Sequence, residues 1–268
     1  MNRARWLAAA FGLAAAQLGA AAFADAIAND FRPIPAGRFE SVIAPQPGVT
    51  AADVRAFDLA ITPVTNAQFA AFVRAQPAWR RGRVAPLFAD TRYLAHWPDA
   101  ETPTPAQAQQ PVTQVSWFAA RAYCAAQGGR LPTWHEWEYA AAADATRRDA
   151  RADPAWRQRL LDWYAQPADE LLPAVGQSPA NVYGVRDLHG LVWEWVDDAG
   201  SLMVSADNRD QGDDPDLLKF CGSGAVTMEQ KDQYAVLMRV AMLSSLKASY
   251  TTATLGFRCA RDADGESR

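Results

Sequence analysis

Residues Pro111 to Ala142 read PVTQVSWFAARAYCAAQGGRLPTWHEWEYAAA, two helix-forming runs joined through Gly128-Gly129-Arg130-Leu131-Pro132-Thr133. Ser116 stands where a side-chain oxygen takes an orphan N–H of a first turn, so a helix is expected from there to about Gln127. Gly128-Gly129 then supplies the left-handed exit that commonly ends helices. Thr133 and Glu136 have the Thr-x-x-Glu spacing of a capping box, in which each side chain satisfies the other residue's backbone N–H. A second helix is expected to start there, with Trp137, Ala140 and Ala141 on its inner face.

Upstream, Phe31 to Phe39 is apolar but punctuated by Pro33, Pro35 and Gly37, the pattern of a short edge strand closing in a turn. Phe57 to Ile61 alternates as a second strand. Thr65-Asn66 occupies N-cap position before Phe69, Phe72 and Val73, whose spacing builds one apolar helical face ending near Gln76 and Pro77. Residues 77–110 show no period and are expected to form a long surface loop tied down by Phe88, Tyr93, Leu94 and Trp97; long loops in compact domains tend to be functional. Downstream, 144–179 is charged and loop-like, with a short helix at Pro154 to Tyr164. Gly184 and Gly190 bracket a tight turn that feeds a strand reaching Trp195. After an acidic loop at 206–216, the segments 234–243 and 255–261 read as closing strands.

The first 24 residues have the form of an export signal: Arg3 and Arg5, an Ala/Leu-rich run from Trp6 to Ala22, and the small residues of Ala22-Phe23-Ala24 for cleavage. The alternative is a membrane anchor, but Gln17 and two glycines interrupt the run and a cleavage site follows it, whereas a span needs about 20 apolar residues. No later segment has the character of a membrane span. Cleavage places the mature protein in the periplasm or outside the cell. It leaves 244 of 268 residues, one domain over 25–268, and a balance of 24 basic to 30 acidic groups once Arg3 and Arg5 are gone. A net charge of −6 argues against a nucleic-acid partner. In an oxidising compartment, Cys124, Cys221 and Cys259 can hold one disulfide and must leave one thiol over.

Taken in order, Phe39 after Ile-Pro-Ala-Gly, Pro63-Val-Thr-Asn66, Val115-Ser-Trp117, Arg130-Leu-Pro-Thr133 with Glu136-Trp-Glu-Tyr139, Gly190 with Trp193-Glu-Trp195, and Gly256-Phe-Arg-Cys259 resemble the formylglycine-generating enzyme, or sulfatase-modifying factor, superfamily. The resemblance covers nearly the whole mature chain. It implies one α+β domain with a C-type-lectin-like fold and little regular secondary structure. It also implies several chemistries on one scaffold: oxidation of a sulfatase cysteine to formylglycine, sulfur insertion in thiohistidine synthesis, and periplasmic maturation of pyoverdine. Fold therefore does not settle function.

Formylglycine-generating members use two cysteines about five apart, between a Gly-Gly-Ser segment and the closing Gly-Phe-Arg motif, to bind soft copper(I). The corresponding interval here, Gly222 to Leu255, contains no cysteine. Cys221 precedes it, and is either a metal-binding thiol helped by a histidine or a small packed apolar residue. Whether the chain is an enzyme is open on this reading; Cys221, His189 and Arg239 are the candidate catalytic residues. The resemblance pairs Cys124 with Cys259 in a disulfide, the alternative being a two-cysteine metal site. It also places a structural calcium ion on Asp187, Gly190, Val192 and Glu194, through side-chain oxygens at the first and last positions and backbone carbonyls between. Against this stand a turn-capping role for Asp187 and a buried ion pair for Glu194. The scattered His96, His135 and His189 form no ligand motif; His135 is expected at the surface and His189 as a hydrogen-bonded turn residue.

Phe220-Cys-Gly-Ser-Gly224, Tyr234 to Arg239, Ser244-Ser245 and Thr254 to Arg258 resemble the exported NirV proteins associated with copper nitrite reductase. That resemblance implies an accessory or maturation factor that binds a periplasmic protein or small precursor in a groove between the 77–110 loop and the 221–245 segment. A non-standard periplasmic oxidase is the alternative, and a formylglycine-generating oxidase ranks last.

Overall fold

The computed structural model describes residues 30–43, 45, 49, 51–165, 172–201 and 234–263. The expected export signal, the acidic loop 206–216 and Cys221 lie outside the described residues, as do positions 222–233 of the cysteine-free interval. Among the described residues, no helix is long and apolar enough to cross a membrane.

The N-terminal region forms four short strands: β1 (Phe31–Ile34), β2 (Gly37–Glu40), β3 (Ala51–Val54) and β4 (Phe57–Ala60). The stretch expected as a single strand breaks at Pro35-Ala36, and its halves find different antiparallel partners, β1 with β4 and β2 with β3. Pro33 has no N–H to give a ladder, and β1 is accordingly an edge strand of the three-stranded sheet whose central member is β4.

Four helices start where local chemistry predicts. Before α1 (Asn66–Ala75), Thr65 and Gln68 make a reciprocal capping box. Ser116 Oγ accepts from Ala119 N at 3.1 Å before α2 (Trp117–Ala126), which is followed by Gly128 at φ +69°. Thr133 and Glu136 form the expected box before α3 (Trp134–Ala141), whose Trp137, Ala140 and Ala141 are buried. Asp153 caps α4 (Pro154–Tyr164), with proline at its first position, where a missing N–H costs nothing.

The segment 234–243, expected as a strand, is instead helical: after β5 (Trp193–Glu194) comes α5 (Tyr234–Ser244). Val236, Val240 and Leu243 are buried, the i, i+4, i+7 spacing of a helix face, and the Ala, Leu and Met around them favour helix. The period outweighs the two β-branched valines. The single strand expected over 255–261 forms in two pieces: β6 (Leu255–Gly256) lies parallel to β5, and β7 (Ala260–Asp262) completes the three-stranded sheet beside β4. Gly256 is required by close approach, since a Cβ there would sit 2.6 Å from the Val112 carbonyl oxygen.

The core joins these pieces through aromatic rings. Phe69 of α1, Tyr123 of α2 and Phe257 meet with centroids 5.4–6.0 Å apart. Beside them Cys124 and Cys259 are bonded, with Cα atoms 5.4 Å apart at a sequence separation of 135. This is the pairing implied by the family resemblance. Closing a loop of that length stabilises by about 4–5 kcal/mol in the chain-entropy model.

The 77–110 loop is pinned by buried Tyr93, Leu94 and Trp97, whereas Phe88 is 39% exposed and packs from outside against Phe118. Its anchor is Asn66. The amide nitrogen donates to the carbonyls of Gln107, Gln110 and Pro111 at 3.1–3.3 Å, and its oxygen accepts from Trp97 Nε1 at 2.7 Å. The His96 ring spans the Asn66 and Gln114 side-chain oxygens, at 3.2 and 3.0 Å.

Candidate functional site

The turn before β5 is held by side chains bonding to backbone. Asn181 Oδ1 accepts from Tyr183 N and Val185 N, at 3.0 and 3.1 Å. Asp187 follows at φ +58°, a left-handed conformation that aspartate tolerates better than most residues. Its carboxylate accepts the N–H groups of Gly176 and Ser178, and its own N–H donates to Ser178 Oγ at 2.7 Å. Gly190 closes the turn at φ +92°.

Beyond the turn, Glu194 is fully buried, and so is the residue that balances it. Arg258 donates to both carboxylate oxygens, Nε to Oε2 and Nη2 to Oε1, each at 2.8 Å. Trp137 Nε1 adds a third bond to Oε2 at 2.8 Å. The rest of the Arg258 guanidinium serves the backbone, donating to the carbonyls of Ala60, Ile61 and Arg186. A buried charge is tolerable only when paired and hydrogen-bonded in this way.

Two of the candidate catalytic residues meet around Trp137. Arg239 stacks its guanidinium 3.5 Å from the Trp137 ring centroid and donates to the Glu194 carbonyl at 2.7 Å. His189 stands edge-on to Trp137 and to Trp156, with centroids 5.6 and 5.5 Å away, and its Nε2 bonds the Ala141 carbonyl at 2.9 Å. Burial, helped by Arg239 and Arg258 and opposed by the Ala141 bond, lowers its pKa to about 4 and so keeps the ring neutral. Cys221, the third candidate, lies outside the described residues. His135 is half-buried rather than superficial, because its Nε2 reaches the Ile43 carbonyl at 3.1 Å.

The geometry around the four expected calcium positions gives their carboxylates other work. Glu194 faces a guanidinium and an indole N–H, and Asp187 faces two backbone N–H groups. A cation on these positions would have to share both carboxylates with those donors, joined by the Gly190 and Val192 carbonyls. Among the described residues, no group of three or more His, Cys, Asp or Glu side chains converges as a metal site. Neither Arg258 nor Trp137 is singled out for a site by the sequence. The usable signal is a lone charge inside an apolar motif, Glu194 between two tryptophans and Arg258 between Phe257 and Cys259, each of which demands a buried counter-charge.

Two cavities flank this cluster. One of about 500 Å³ lies between α4 and the 178–190 turn, with Trp156, Leu160, Trp163, Arg159 and His189 among its walls. The other, about 270 Å³, is lined by Trp117, Trp195, Asp197, Asp198, Leu246 and Ala248. There burial pushes the Asp198 carboxyl up, against the 2.8 Å bond it accepts from Trp134 N. Neither cavity includes a residue of the 77–110 loop, so neither is the groove expected between that loop and 221–245.

A family profile described as "Sulfatase-modifying factor enzyme 1-like domain" matches residues 22–263. A formylglycine-generating enzyme of Streptomyces coelicolor is 33% identical over 254 residues, covering 79% of this chain and 80% of that protein. A hercynine oxygenase of Mycobacterium tuberculosis is 35% identical over 168 residues, 54% of this chain and 38% of its own. A Mus musculus protein named inactive C-alpha-formylglycine-generating enzyme 2 is 29% identical over 247 residues, 78% and 76% of the two chains. The solved structure of PvdO from Pseudomonas aeruginosa aligns over 88% of this chain and 95% of that one, at 20% identity and a TM-score of 0.47.

Proposed function

The chain belongs to the sulfatase-modifying factor enzyme 1-like family, and from that premise we propose that it is an exported accessory or maturation factor for a periplasmic oxidoreductase such as copper nitrite reductase, rather than a formylglycine-generating oxidase. The observation that carries this reading is a count of sulfurs. Of three cysteines, Cys124 and Cys259 are joined to each other, which leaves Cys221 as the single thiol. A copper(I) centre held between two thiolates therefore has no second ligand within one chain. The names of the relatives, one an oxygenase and one inactive, agree with a scaffold that outlives any single chemistry. Export rests on the 1–24 segment, and the choice of partner on the resemblance of 220–258 to nitrite-reductase-associated proteins.

An oxidase acting on a small precursor or a protein side chain is the second reading, favoured by the meeting of His189 and Arg239 at Trp137. Two measurements separate the possibilities. Copper-supplied protein is expected to leave a Cys-x-Pro-x-Arg peptide unoxidised; aldehyde formation would sink the accessory reading. A strain lacking the protein is expected to export its nitrite reductase in an inactive state. Full reductase activity in that strain rejects the proposed partner, and stoichiometric copper(I) binding lost in Cys221→Ser would favour the oxidase.

A further inference from the structure

We propose that the cavity between α4 and the 178–190 turn is a binding site for a small aromatic acid that also carries an O–H or N–H donor. Its volume, about 500 Å³, falls within the range of small-molecule sites. Its walls set the ligand's chemistry one at a time. Trp156 and Leu160 are almost wholly buried, and Trp163 stands beside them with its ring 5.8 Å from that of Trp193. This apolar, aromatic side fits a flat ring, which stacks or packs edge-on against indoles.

Of the three charges lining the cavity, the two carboxylates are held by other donors and the guanidinium is open to an anion. Asp144 is already bound by Arg147 through two bonds of 2.9 and 2.5 Å, and Asp187 by the N–H groups of Gly176 and Ser178. Arg159 is exposed on the wall and forms no ion pair among the described residues. The cavity thus offers a guanidinium whose planar fork suits a carboxylate, while its own carboxylates are spoken for.

The donor follows from His189. Its Nε2 lies on a carbonyl oxygen, which can only accept, so Nε2 carries the proton. The neutral ring then presents Nδ1 as an acceptor, and that atom has no partner among the described residues. A phenol or indole N–H meets this requirement, whereas a plain aryl acid leaves it unmet. None of these contacts involves Cys221, so the inference stands or falls apart from the sulfur count.

Calorimetric titration of the full chain with 4-hydroxyphenylacetate tests it. Saturable one-to-one binding is expected, weakened roughly tenfold or more in Arg159→Glu, a change at an exposed position that leaves the fold intact. The methyl ester of the probe should bind wild type more weakly by a similar factor and be indifferent to Arg159→Glu. No binding up to about 10 mM, an affinity weaker than small-molecule sites of this kind supply, overturns the proposal. So does an unchanged affinity in Arg159→Glu.

Discussion

Asn66 and Glu194 are both buried polar side chains that hold distant chain segments in place, yet they do it with opposite electrostatics. Asn66 is neutral and spreads its bonds over three backbone carbonyls and two aromatic side chains of the 77–110 region and its exit. Glu194 is charged, concentrates its bonds on Arg258 and Trp137, and relies on Arg258 to reach the backbone at Ala60, Ile61 and Arg186. A neutral network fails piecemeal, because each orphaned carbonyl costs only its own desolvation. An ion pair with both partners fully buried fails at once, because the survivor is an uncompensated charge.

Four substitutions, one of them read against pH, test that contrast. The largest effect is expected for Arg258→Met, which strands the Glu194 carboxylate and should cost about 3–5 kcal/mol in urea unfolding. Adding Glu194→Leu should recover most of that loss, since two apolar residues of similar volume can replace a buried pair. If the double variant is no more stable than the single, the pair matters for shape rather than charge. Asn66→Ala should cost less, about 2–3 kcal/mol, by leaving Trp97 Nε1 and the Pro111 carbonyl to find other partners, while the Gln107 and Gln110 carbonyls each keep a backbone N–H. Limited proteolysis within 77–110 should rise in that variant before global unfolding; equal protection would mean the loop is held by Trp97 and Tyr93 alone.

The smallest effect is a pH dependence. Burial lowers the His96 pKa below its ordinary 6.5, with Arg81 adding to the shift and the Gln114 bond opposing it. A folded-state pKa below the unfolded value means that the unfolded chain binds the proton first as pH falls. The contribution is therefore present above pH 6.5 and lost progressively below it. His96→Gln should flatten the stability slope in that acid window, measured as the difference from wild type. A parallel slope in the two proteins would assign the acid response to other groups.

The helices of 111–142 are legible from sequence because their signals are local. Ser116 with Ala119, and Thr133 with Glu136, are partners three residues apart, and nothing distant is needed to satisfy them. The segment 234–244 is harder to read. Its apolar residues suit a strand by their β-branching and a helix by their spacing, and only burial of Val236, Val240 and Leu243 on one side decides between them. The candidate site is legible as residue types but not as partnerships. Glu194 invites either calcium or an ion pair, and its ion-pair partner, Arg258, stands 64 positions away.

The sequence alone determined the cap-bounded helices and the shortage of thiols, because capping bonds close within one turn and sulfurs can be counted without coordinates. The tertiary structure decided which charges neutralise each other, which indoles enclose His189, and where a cavity opens beside it. Those outcomes depend on burial, and burial is a property of segments brought together from across the chain rather than of any one of them.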